Sequence, residues 1–408
     1  MRVDLFTREF PPNVYGGAGV HVTELARVLA ADADVHVHAF DGPRPSSVPN
    51  LALTGYADVA ELGQANASIR TLGVDLEMAN GAQGADLVHS HTWYANMAGH
   101  LAKLLYDIPH VVSAHSLEPL RPWKREQLGG GYNISRWIEQ TAYENADAII
   151  AVSKAMKSDI LRVYPHVSSD RVHVIHNGID LEAWKAPATA EEWEAARARF
   201  RATGLDPDRP TIVFVGRITR QKGVPHLLRS LKHVDPNVQV LLLAGAPDTP
   251  EIAEETRTLV RDLQRERKGV VWIDEHLPHE DIVALEACST TFVTPSIYEP
   301  LGIVNLEAMG VGLPVVGTNT GGIPDCIVDG ETGVLVDIDQ KTDGTGTPLA
   351  PEKFEYDLGQ ALNAVVSDPE TAARMGAAGR RRVEEHFSWS AIGDATMALY
   401  TQVVGTRS

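Results

Sequence analysis

Two cations stand at a strand-to-helix junction in the second half of the sequence. Arg217 follows the apolar run Thr211–Val215 and Gly216, and Lys222 precedes Gly223, where a helix is expected to begin. Ligands of open α/β sheets bind at the carboxyl ends of parallel strands, so we expect both side chains at a ligand site. A guanidinium and an ammonium together suit a diphosphate, whose charge grows as it leaves. A pair of solvated surface cations is the alternative.

The stretch from Tyr298 to Glu307 carries two carboxylates. Glu299 precedes an expected helix and Glu307 lies within it. Carboxylates accept hydrogen bonds from the hydroxyls of a sugar or a ribose. A glycosidase would use such a pair as acid and base, but that interpretation leaves Arg217 and Lys222 unexplained. For Glu307, a charge effect at a helix N-terminus without any ligand is the alternative.

Glycines mark a third candidate at the first strand-to-helix turn. Gly16, Gly17 and Gly19 follow the apolar run Val3–Thr7 and open a stretch with helical periodicity. Backbone N–H groups in such a turn can approach an anion, and the helix N-terminus adds partial positive charge. The pattern predicts a phosphate or sugar-phosphate cradle. A tight turn without ligand and an NAD site, suggested by Asp41, are the alternatives.

The elements that must position these residues follow one repeating pattern. Short apolar runs alternate with amphipathic stretches, which is typical of parallel sheets with helical crossovers. Twelve runs are too many for one sheet of usual size, so we predict an α/β protein with two Rossmann-like domains, 1–180 and 181–388. The Gly-, Thr- and Asp-rich stretch 337–351 is expected to be an irregular loop. The predicted strands are Val3–Thr7, Val35–Phe40, Asp86–Ser90, His110–Ala114, Ala148–Val152, Val172–Ile175, Thr211–Val215, Val238–Ala244, Val270–Ile273, Thr291–Thr294, Pro314–Thr318 and Val334–Val336.

Composition excludes several kinds of partner. The 408 residues carry 36 Lys+Arg and 54 Asp+Glu, a formal net charge of −18, which makes the chain a poor general binder of nucleic acid or anionic membrane. No apolar run approaches the roughly 18 residues that span a bilayer, and the first residues are unlike a signal peptide. Cys288 and Cys326 are expected as buried thiols in a reducing compartment. We expect a cytoplasmic protein that acts on small molecules.

Metal ligands are few in the sequence. His89 and His91 alternate on an expected strand, so both imidazoles face one side, but no third ligand is evident. Ordinary strand-end histidines are therefore favoured over a metal site. Asp337 and Asp339 form a DxD pattern within the expected loop. We predict no metal site and no cofactor.

Along the chain, Gly16 and Gly17 come first, Gly216-Arg217 to Lys222-Gly223 follow, and Glu299 with Glu307 come last. Motifs in that order resemble the retaining nucleotide-sugar glycosyltransferases of the GT-B architecture, in glycosyltransferase family four. The resemblance spans essentially the whole chain, and the stretches around Gly16–His21, Ser113–Lys124 and Gly216–Gly223 are most similar to its short glycogen-synthase-type members. It implies two Rossmann-like, doubly wound domains facing across a cleft. It also implies that a C-terminal helix, 389–408, crosses back to the first domain.

The resemblance implies the chemistry and the residues that carry it. The donor would be ADP-glucose, a substrate, and an α-1,4 bond would form with retention. The acceptor would be glucose-1-phosphate, giving α-maltose-1-phosphate, or the α-1,4-glucan of glycogen. The implied catalytic residues are His115 at the glucose, Arg217 and Lys222 at the diphosphate, and Glu299 at the glucose hydroxyls. The donor-binding set adds Gly16, Gly17, Leu301, Gly302, Ile303 and the ribose-binding Glu307.

The acceptor side is assigned to basic residues of the first domain. Arg8, Arg121 and Lys124, with Arg125, could hold the phosphate of glucose-1-phosphate, and Tyr15 is also assigned to the acceptor. The alternative is a solvated loop over 121–125 in which Trp123 stacks on a glucan.

The chain departs from bacterial glycogen synthases at two positions. Val14 and Tyr15 stand where those enzymes carry a Lys before the paired glycines, and Leu301 stands where they carry a Cys. Acceptor details of the longer enzymes therefore do not transfer directly. The rival functions are a GT-B transferase that uses a UDP- or GDP-sugar on another phosphorylated acceptor, a sugar-nucleotide epimerase, and a dinucleotide oxidoreductase. The oligomeric state stays open.

Overall fold

The chain folds into two compact units. A computed structural model describes residues 1–14, 17–43, 51–121, 124–341 and 345–406. The first unit comprises Met1–Gly178 and Trp389–Ser408, and the second comprises Ile179–Ser388. This division lies two residues from the expected boundary at 180.

A parallel sheet forms the centre of the first unit. In the described residues its strands are β1 (Arg2–Thr7), β2 (Asp34–Ala39), β3 (Ala52–Gly55), β4 (Leu87–His91), β5 (His110–Ala114), β6 (Ala148–Ala151) and β7 (Val172–Val174). Their order across the sheet is β3-β2-β1-β4-β5-β6-β7. The strand order thus reverses between the neighbours β1 and β4, and open α/β sheets bind ligands at such a switch point.

Helices cover this first sheet, so its central strands are buried on both faces. The helices are α1 (Gly17–Leu29), α2 (Ala67–Gly81), α3 (Trp93–Tyr106), α4 (Lys124–Leu128), α5 (Gly131–Asn145), α6 (Lys154–Val163) and, from the end of the chain, α15 (Trp389–Gly405). Every residue of β4 and β5 is buried.

The helix α15 belongs to the core of the first unit. Ile392 and Leu399 lie in the same hydrophobic cluster as Val22 of α1. The Tyr400 hydroxyl lies 2.6 Å from Nδ1 of His89, a residue of β4 that is 311 positions away in sequence. The expected return of the C-terminal helix to the first domain is confirmed.

The second unit repeats the plan. Its strands in the described residues are β8 (Thr211–Arg217), β9 (Gln239–Gly245), β10 (Val270–Ile273), β11 (Thr291–Thr294), β12 (Val315–Thr318) and β13 (Gly333–Val336). All pair in parallel, in the order β10-β9-β8-β11-β12-β13. The switch point of this sheet lies between β8 and β11, the strands that lead into the segments with Lys222 and Glu299.

The helices of the second unit begin at recognisable caps. They are α7 (Ala190–Ala202), α8 (Val224–Ser230), α9 (Pro250–Glu266), α10 (His279–Ala287), α11 (Ile303–Gly310), α12 (Ile323–Cys326), α13 (Pro351–Val366) and α14 (Pro369–His386). Thr189 and Glu192 form a reciprocal capping box at the start of α7, which satisfies backbone N–H groups that the helix leaves unpaired. Thr249 caps α9 through its side chain, which accepts a hydrogen bond from the backbone N–H of Ile252, and Pro250 lies in the first turn.

The predicted strands agree with the structure to within two residues at each end, and the prediction missed one strand among those that the described residues form. That strand, β3, has four residues, none of them buried, and lies at the edge of the sheet, so it carries no apolar run. The expected loop 337–351 is irregular where it is described up to residue 350, with a bridge between Gln340 and Pro348, and Pro351 begins α13. The prediction of two buried thiols is confirmed for Cys326 but wrong for Cys288, which is only half-buried. No described helix is long and apolar enough to cross a membrane.

Candidate active site

Glu299 is the centre of a polar group in the second unit. Its Oε2 accepts hydrogen bonds from Lys222 Nζ at 2.7 Å and from Ser296 Oγ at 3.2 Å. The side chains of Lys222 and Glu299 are 20% and 9% exposed, so the pair is largely shielded from water. The two residues follow β8 and β11, which are neighbours in the sheet. The structure therefore brings together two of the residues that the sequence assigned to donor binding.

Two glycines allow neighbouring backbone segments to pack closely beside the Lys222–Glu299 pair. Gly223 has φ +66°, and a Cβ there would lie 1.9 Å from the carbonyl oxygen of Pro295. Gly321 has φ +54°, and its Cβ would lie 2.1 Å from the carbonyl oxygen of Glu299. Side chains other than hydrogen are excluded at both positions. Sequence reasoning missed Gly321, although paired glycines just after a strand are a usable signal.

Glu307 lies half-buried on α11. Its charge raises the pKa of a second carboxyl, that of Glu286. Burial raises the pKa of Glu307 to about 7, against the opposing effect of Lys222. Glu286 on α10 is 1% exposed, and burial together with the charge of Glu307 raises its pKa well above the usual value. Sequence reasoning missed Glu286, because nothing in its local pattern sets it apart from a surface helix residue.

The remaining donor-side candidates surround the start of α11. Leu301 is buried, and its carbonyl accepts a hydrogen bond from Cys326 Sγ at 3.4 Å. Gly302 precedes the helix, and Ile303, its first residue, is half-buried. These residues shape the backbone next to Glu299.

Arg217 stands apart from the Lys222–Glu299 pair in its contacts. It ends β8 with a side chain that is 65% exposed, and its Nη1 lies 3.3 Å from Asp248 Oδ1. The structure thus gives Arg217 and Lys222 different carboxylate partners. Their joint action on a diphosphate stays a prediction.

Three histidines from separate elements meet at the carboxyl edge of the first sheet. His91 ends β4, His115 follows β5, and His21 lies on α1. Nδ1 of His91 and Nε2 of His115 are 3.0 Å apart, and the ring centroids of His21 and His115 are 4.8 Å apart. Burial lowers the pKa of His115 to about 4, and burial is also the main cause that lowers the pKa values of His21 and His91 well below the usual value. All three imidazoles are therefore neutral near pH 7.

His89 and His91 do face the same side of the sheet, as their alternation predicts. Their ring centroids are 4.1 Å apart. The sequence shows no third possible ligand close to this pair. The fold brings His21 and His115 next to His91, so that one nitrogen from each of the three rings lies within 4.8 Å of the others.

The basic residues assigned to the acceptor also lie close to one another. The pKa of Lys124 is lowered first by burial and then by the positive charges of Arg121 and Arg8, partly opposed by Glu118 and Glu139. Arg121 Nη1 donates to Ser116 Oγ at 3.1 Å. We call Arg8, Arg121 and Lys124 the basic group. The guanidinium of Arg8 lies 4.2 Å from the ring centroid of Tyr94.

A buried pair of glutamates supports the segment that carries the basic group. The backbone N–H of Glu118 donates to Glu139 Oε1 at 2.8 Å, and Ser135 Oγ donates to Glu118 Oε2 at 2.7 Å. The hydroxyl of Tyr164 also donates to Glu139. Burial and the charge of Glu118 raise the pKa of Glu139 to about 8. Sequence reasoning missed this pair because its members lie 21 positions apart on different elements.

Some predicted site residues lie outside the described part of the chain. These are Tyr15 and Gly16, and also Trp123 of the alternative acceptor assignment. Gly17, which is described, is the first residue of α1.

Family comparisons cover both units of the chain. Residues 15–183 match the family described as Glycosyltransferase Family 4, and residues 196–382 match the family described as Glycosyl transferases group 1. The first match covers most of the first unit and ends five residues beyond Gly178, and the second match lies within the second unit. Together they include the candidate site residues except Arg8.

Two curated relatives align over nearly the whole sequence. The chain is 52% identical over 403 residues to the Alpha-maltose-1-phosphate synthase of Mycobacterium tuberculosis, covering 99% of this chain and 100% of that protein. It is 50% identical over the same coverage to the Alpha-maltose-1-phosphate synthase of Mycolicibacterium smegmatis. Among solved structures, sucrose-phosphate synthase from Thermosynechococcus elongatus has a similar fold, with a TM-score of 0.77, 24% identity and 99% coverage of each chain. The predicted α/β fold of the GT-B glycosyltransferases is confirmed.

Proposed function

This chain belongs to glycosyltransferase family 4 and is a glycosyltransferase, and from that premise we propose that it transfers glucose from ADP-glucose to glucose-1-phosphate. The product is α-maltose-1-phosphate, formed through an α-1,4 bond with retention at the anomeric carbon. The 52% identical relative with this product in its name supports the choice of acceptor.

The observation that carries the proposal is the basic group. Burial lowers the pKa of Lys124, and the positive charges of Arg121 and Arg8 lower it further against the opposing Glu118 and Glu139, in a chain whose net charge is −18. Glu118 Oε1 lies 3.9 Å from Arg121 Nη1 and offsets part of this positive charge, and a bound anion would offset more of it. The phosphate of glucose-1-phosphate is such an anion, and arginine binds phosphate oxygens in a bidentate manner. A neutral glucan offers no comparable partner.

On the donor side, the proposal gives each charged residue a task. Lys222 and Arg217 bind the diphosphate of ADP-glucose, Glu299 accepts hydrogen bonds from glucose hydroxyls, and Glu307 accepts them from the ribose. His115 is assigned to the glucose, where its neutral imidazole can donate or accept a hydrogen bond.

The transfer exchanges one bond to the anomeric carbon for another. The bond between that carbon and the diphosphate oxygen breaks, and its electron pair leaves with ADP. The acceptor 4-hydroxyl attacks from the face that ADP leaves, and its proton passes to the departing phosphate. Lys222 and Arg217 stabilise the negative charge that grows on that phosphate, which is the interaction that strengthens most in the transition state.

The test is a reaction with defined donor and acceptor. The purified protein is incubated with ADP-glucose and either glucose-1-phosphate or glycogen, and the products are identified by mass spectrometry and by the anomeric coupling in NMR. We expect a phosphorylated disaccharide with an α-1,4 bond. If glycogen is elongated and no disaccharide forms, the acceptor is glycogen and not glucose-1-phosphate. If activity is confined to UDP- or GDP-glucose, the donor is not ADP-glucose.

A further inference from the structure

We propose that Gln340 is a positioning residue for donor binding, which acts by fixing the backbone of the segment that carries Glu299. The inference rests on the proposed function, since it concerns the same donor site. Gln340 lies in the irregular segment after β13. Neither the motifs of the sequence nor the proposed mechanism gives this residue a task.

The side-chain amide of Gln340 joins three segments of the second unit. Its Nε2 donates hydrogen bonds to the backbone carbonyl of Ile297, in the segment after β11, and at 2.7 Å to that of Gly346. Its Oε1 accepts a hydrogen bond from Thr320 Oγ1, in the turn after β12, at 3.0 Å. Carbonyl oxygens only accept hydrogen bonds, so the amide nitrogen must face them. Both amide hydrogens and the amide oxygen therefore have partners.

The contact with Ile297 holds the approach to Glu299 from two sides. Ile297 is buried and lies two residues before Glu299. Its backbone N–H donates to the carbonyl of Gln221, the residue before Lys222, at 2.9 Å. Its own carbonyl accepts the hydrogen bond from Gln340. Gln340 thus completes a backbone chain of contacts that starts next to one donor-site residue and ends next to the other.

The contact with Thr320 reaches Glu299 from a second direction. The turn after β12 packs against Glu299, because the backbone N–H of Gly322 donates to the Glu299 carbonyl at 2.8 Å. A Cβ at Gly321 would lie 2.1 Å from the same oxygen. By binding both Thr320 and the segment before Glu299, Gln340 fixes the distance between the two stretches of backbone that set the position of this carboxylate.

The positions of functional groups tolerate little error. Binding and catalytic geometry must hold to within about 0.5 Å, and a misplacement of about 1 Å can lower a rate about a hundredfold. The variant Gln340→Glu keeps the shape of the side chain and an oxygen for Thr320. It replaces both N–H donors by a carboxylate oxygen that faces two carbonyl oxygens, so the segment before Glu299 should shift.

Gln239 provides a matched control in the same unit. Its Nε2 donates to the Asp206 carbonyl at 2.7 Å and to Thr211 Oγ1 at 3.0 Å, and its Oε1 accepts from the Asp206 N–H at 2.9 Å. Gln239 begins β9, so it lies at the amino ends of the strands, whereas Glu299 follows a carboxyl end. Gln239→Glu therefore disturbs an equivalent amide away from the donor site. If Gln239→Glu does not fold, Gln264→Glu replaces it, because the exposed Gln264 donates to the Val270 carbonyl at 3.1 Å.

The test compares the reaction of the nucleotide sugar with binding of the nucleotide alone. In the full-length protein, Gln340→Glu should lower kcat/KM for ADP-glucose about tenfold or more. The Kd of ADP should change less than about threefold, because Glu299 is assigned to glucose hydroxyls and not to the nucleotide. In the control Gln239→Glu, the melting temperature should fall while both quantities stay within about threefold of wild type.

A double-mutant cycle tests whether Gln340 acts through Glu299. In the Glu299→Gln background, Gln340→Glu should weaken binding of ADP-glucose less than about threefold, since the contact that it positions is already altered. Full additivity of the two losses would overturn the proposal. So would an unchanged kcat/KM in Gln340→Glu, or equal losses of kcat/KM and of ADP affinity, which indicate a general disturbance of the unit.

Two further arrangements keep the test decisive. If Gln340→Glu does not fold, Gln340→Met takes its place, because methionine has a similar length and donates no hydrogen bond. If the wild type uses UDP- or GDP-glucose, the proposed donor is wrong, and the same comparison is made with that donor and its nucleotide. A failure of the proposed function is thereby distinguished from a failure of the role of Gln340.

Discussion

Lys222 and Glu299 lie 77 positions apart in sequence, and their side chains meet at 2.7 Å in a largely buried ion pair. The contact exists because the strands that precede them, β8 and β11, are neighbours at the switch point of the second sheet. In the proposed reaction a diphosphate competes with Glu299 for the ammonium of Lys222, while glucose hydroxyls offer Glu299 new donors. The pair therefore keeps both charges compensated before substrate binds.

Replacing Arg217 by Ala is expected to lower kcat about a hundredfold or more, which is typical for the loss of one transition-state donor. Binding of ADP to the resting enzyme should weaken much less. Arg220→Ala is the control, because Arg220 is similarly exposed and pairs with Glu255 at 3.2 Å much as Arg217 pairs with Asp248 at 3.3 Å. Steady-state kinetics and ADP titration separate the two quantities. Equal losses of kcat and ADP affinity would contradict the assigned role.

Replacing Arg121 or Lys124 by Ala is expected to raise KM for glucose-1-phosphate by about ten- to a hundredfold, since a hydrogen bond to a charged group contributes about 1.5–3 kcal/mol. Any activity on glycogen should stay unchanged. Arg70→Ala serves as the control, because Arg70 lies in the same unit and pairs with Asp58 at the surface. A parallel loss on both acceptors would mean that the substitution disturbs the fold and not phosphate binding.

Donor binding is expected to depend on pH through Glu307. Its pKa is raised to about 7, so the carboxylate that accepts ribose hydroxyls forms only as pH rises through that value. KM for ADP-glucose should fall about tenfold between pH 6 and pH 8, as the ionised fraction rises. In Glu307→Gln this pH dependence should disappear, and in the exposed control Glu331→Gln it should persist. A profile of KM that is equally steep in Glu307→Gln would assign the titration to another group.

The buried Glu139 is expected to make stability fall with rising pH. Its pKa is raised to about 8 in the folded protein, whereas an unfolded glutamate titrates near 4.3. Below about pH 4 the Glu139 carboxyl is mostly protonated in both the folded and the unfolded state, so its burial does not lower the free energy of unfolding. Between about pH 4.5 and 8 the carboxyl loses its proton in the unfolded state but keeps it in the folded state. In that window the free energy of unfolding falls by up to about 1.4 kcal/mol per pH unit.

Thermal unfolding between pH 5 and pH 8 tests this effect. The melting temperature of wild type should fall, relative to Glu139→Gln, as pH rises. Glu144→Gln on the same helix, outside the buried pair, should follow the wild type. Parallel curves for wild type and Glu139→Gln would show that Glu139 does not titrate in this range.

Gly223→Ala is expected to destabilise the protein roughly twice as much as Gly204→Ala. Both glycines have positive φ, +66° and +90°, so each substitution incurs about 1–2 kcal/mol of backbone strain. A Cβ at Gly204 meets open space, whereas one at Gly223 lies 1.9 Å from the Pro295 carbonyl oxygen. Urea unfolding measures the difference. A similar decrease in the free energy of unfolding for the two variants would show that the backbone around Gly223 and Pro295 moves apart at no energetic cost.

The sequence was sufficient for the fold and for the candidate residues that stand directly after strands. Parallel strands that are buried on both faces can be recognised in the sequence as continuous apolar runs. Ligand-binding residues follow the carboxyl ends of such strands, and the candidates His115 and Arg217 stand at such positions. The edge strand β3 lacked that signal because its residues are not buried on both faces. The site residues themselves stay predictions in their roles, although the contact between Lys222 and Glu299 agrees with a shared site.

What the sequence could not provide were contacts between distant elements. Glu139 meets Glu118, and His21 meets His91 and His115, only because helices pack against particular strands. Such proximity depends on tertiary packing, and no local period or motif encodes it. Glu286 is similar, since its burial depends on how α10 packs.

The placement of Trp389–Gly405 in the first unit has a consequence for synthesis on the ribosome. The strand β4 and the helix α1 emerge early, but the helix that supplies Ile392, Leu399 and Tyr400 to their core is translated after the entire second unit. Until that helix is made, the apolar surface that it covers on the first unit stays exposed. The second unit, in contrast, is one continuous stretch of chain and can fold as soon as it is made. A chaperone that shields nascent apolar surface would act on the half made first.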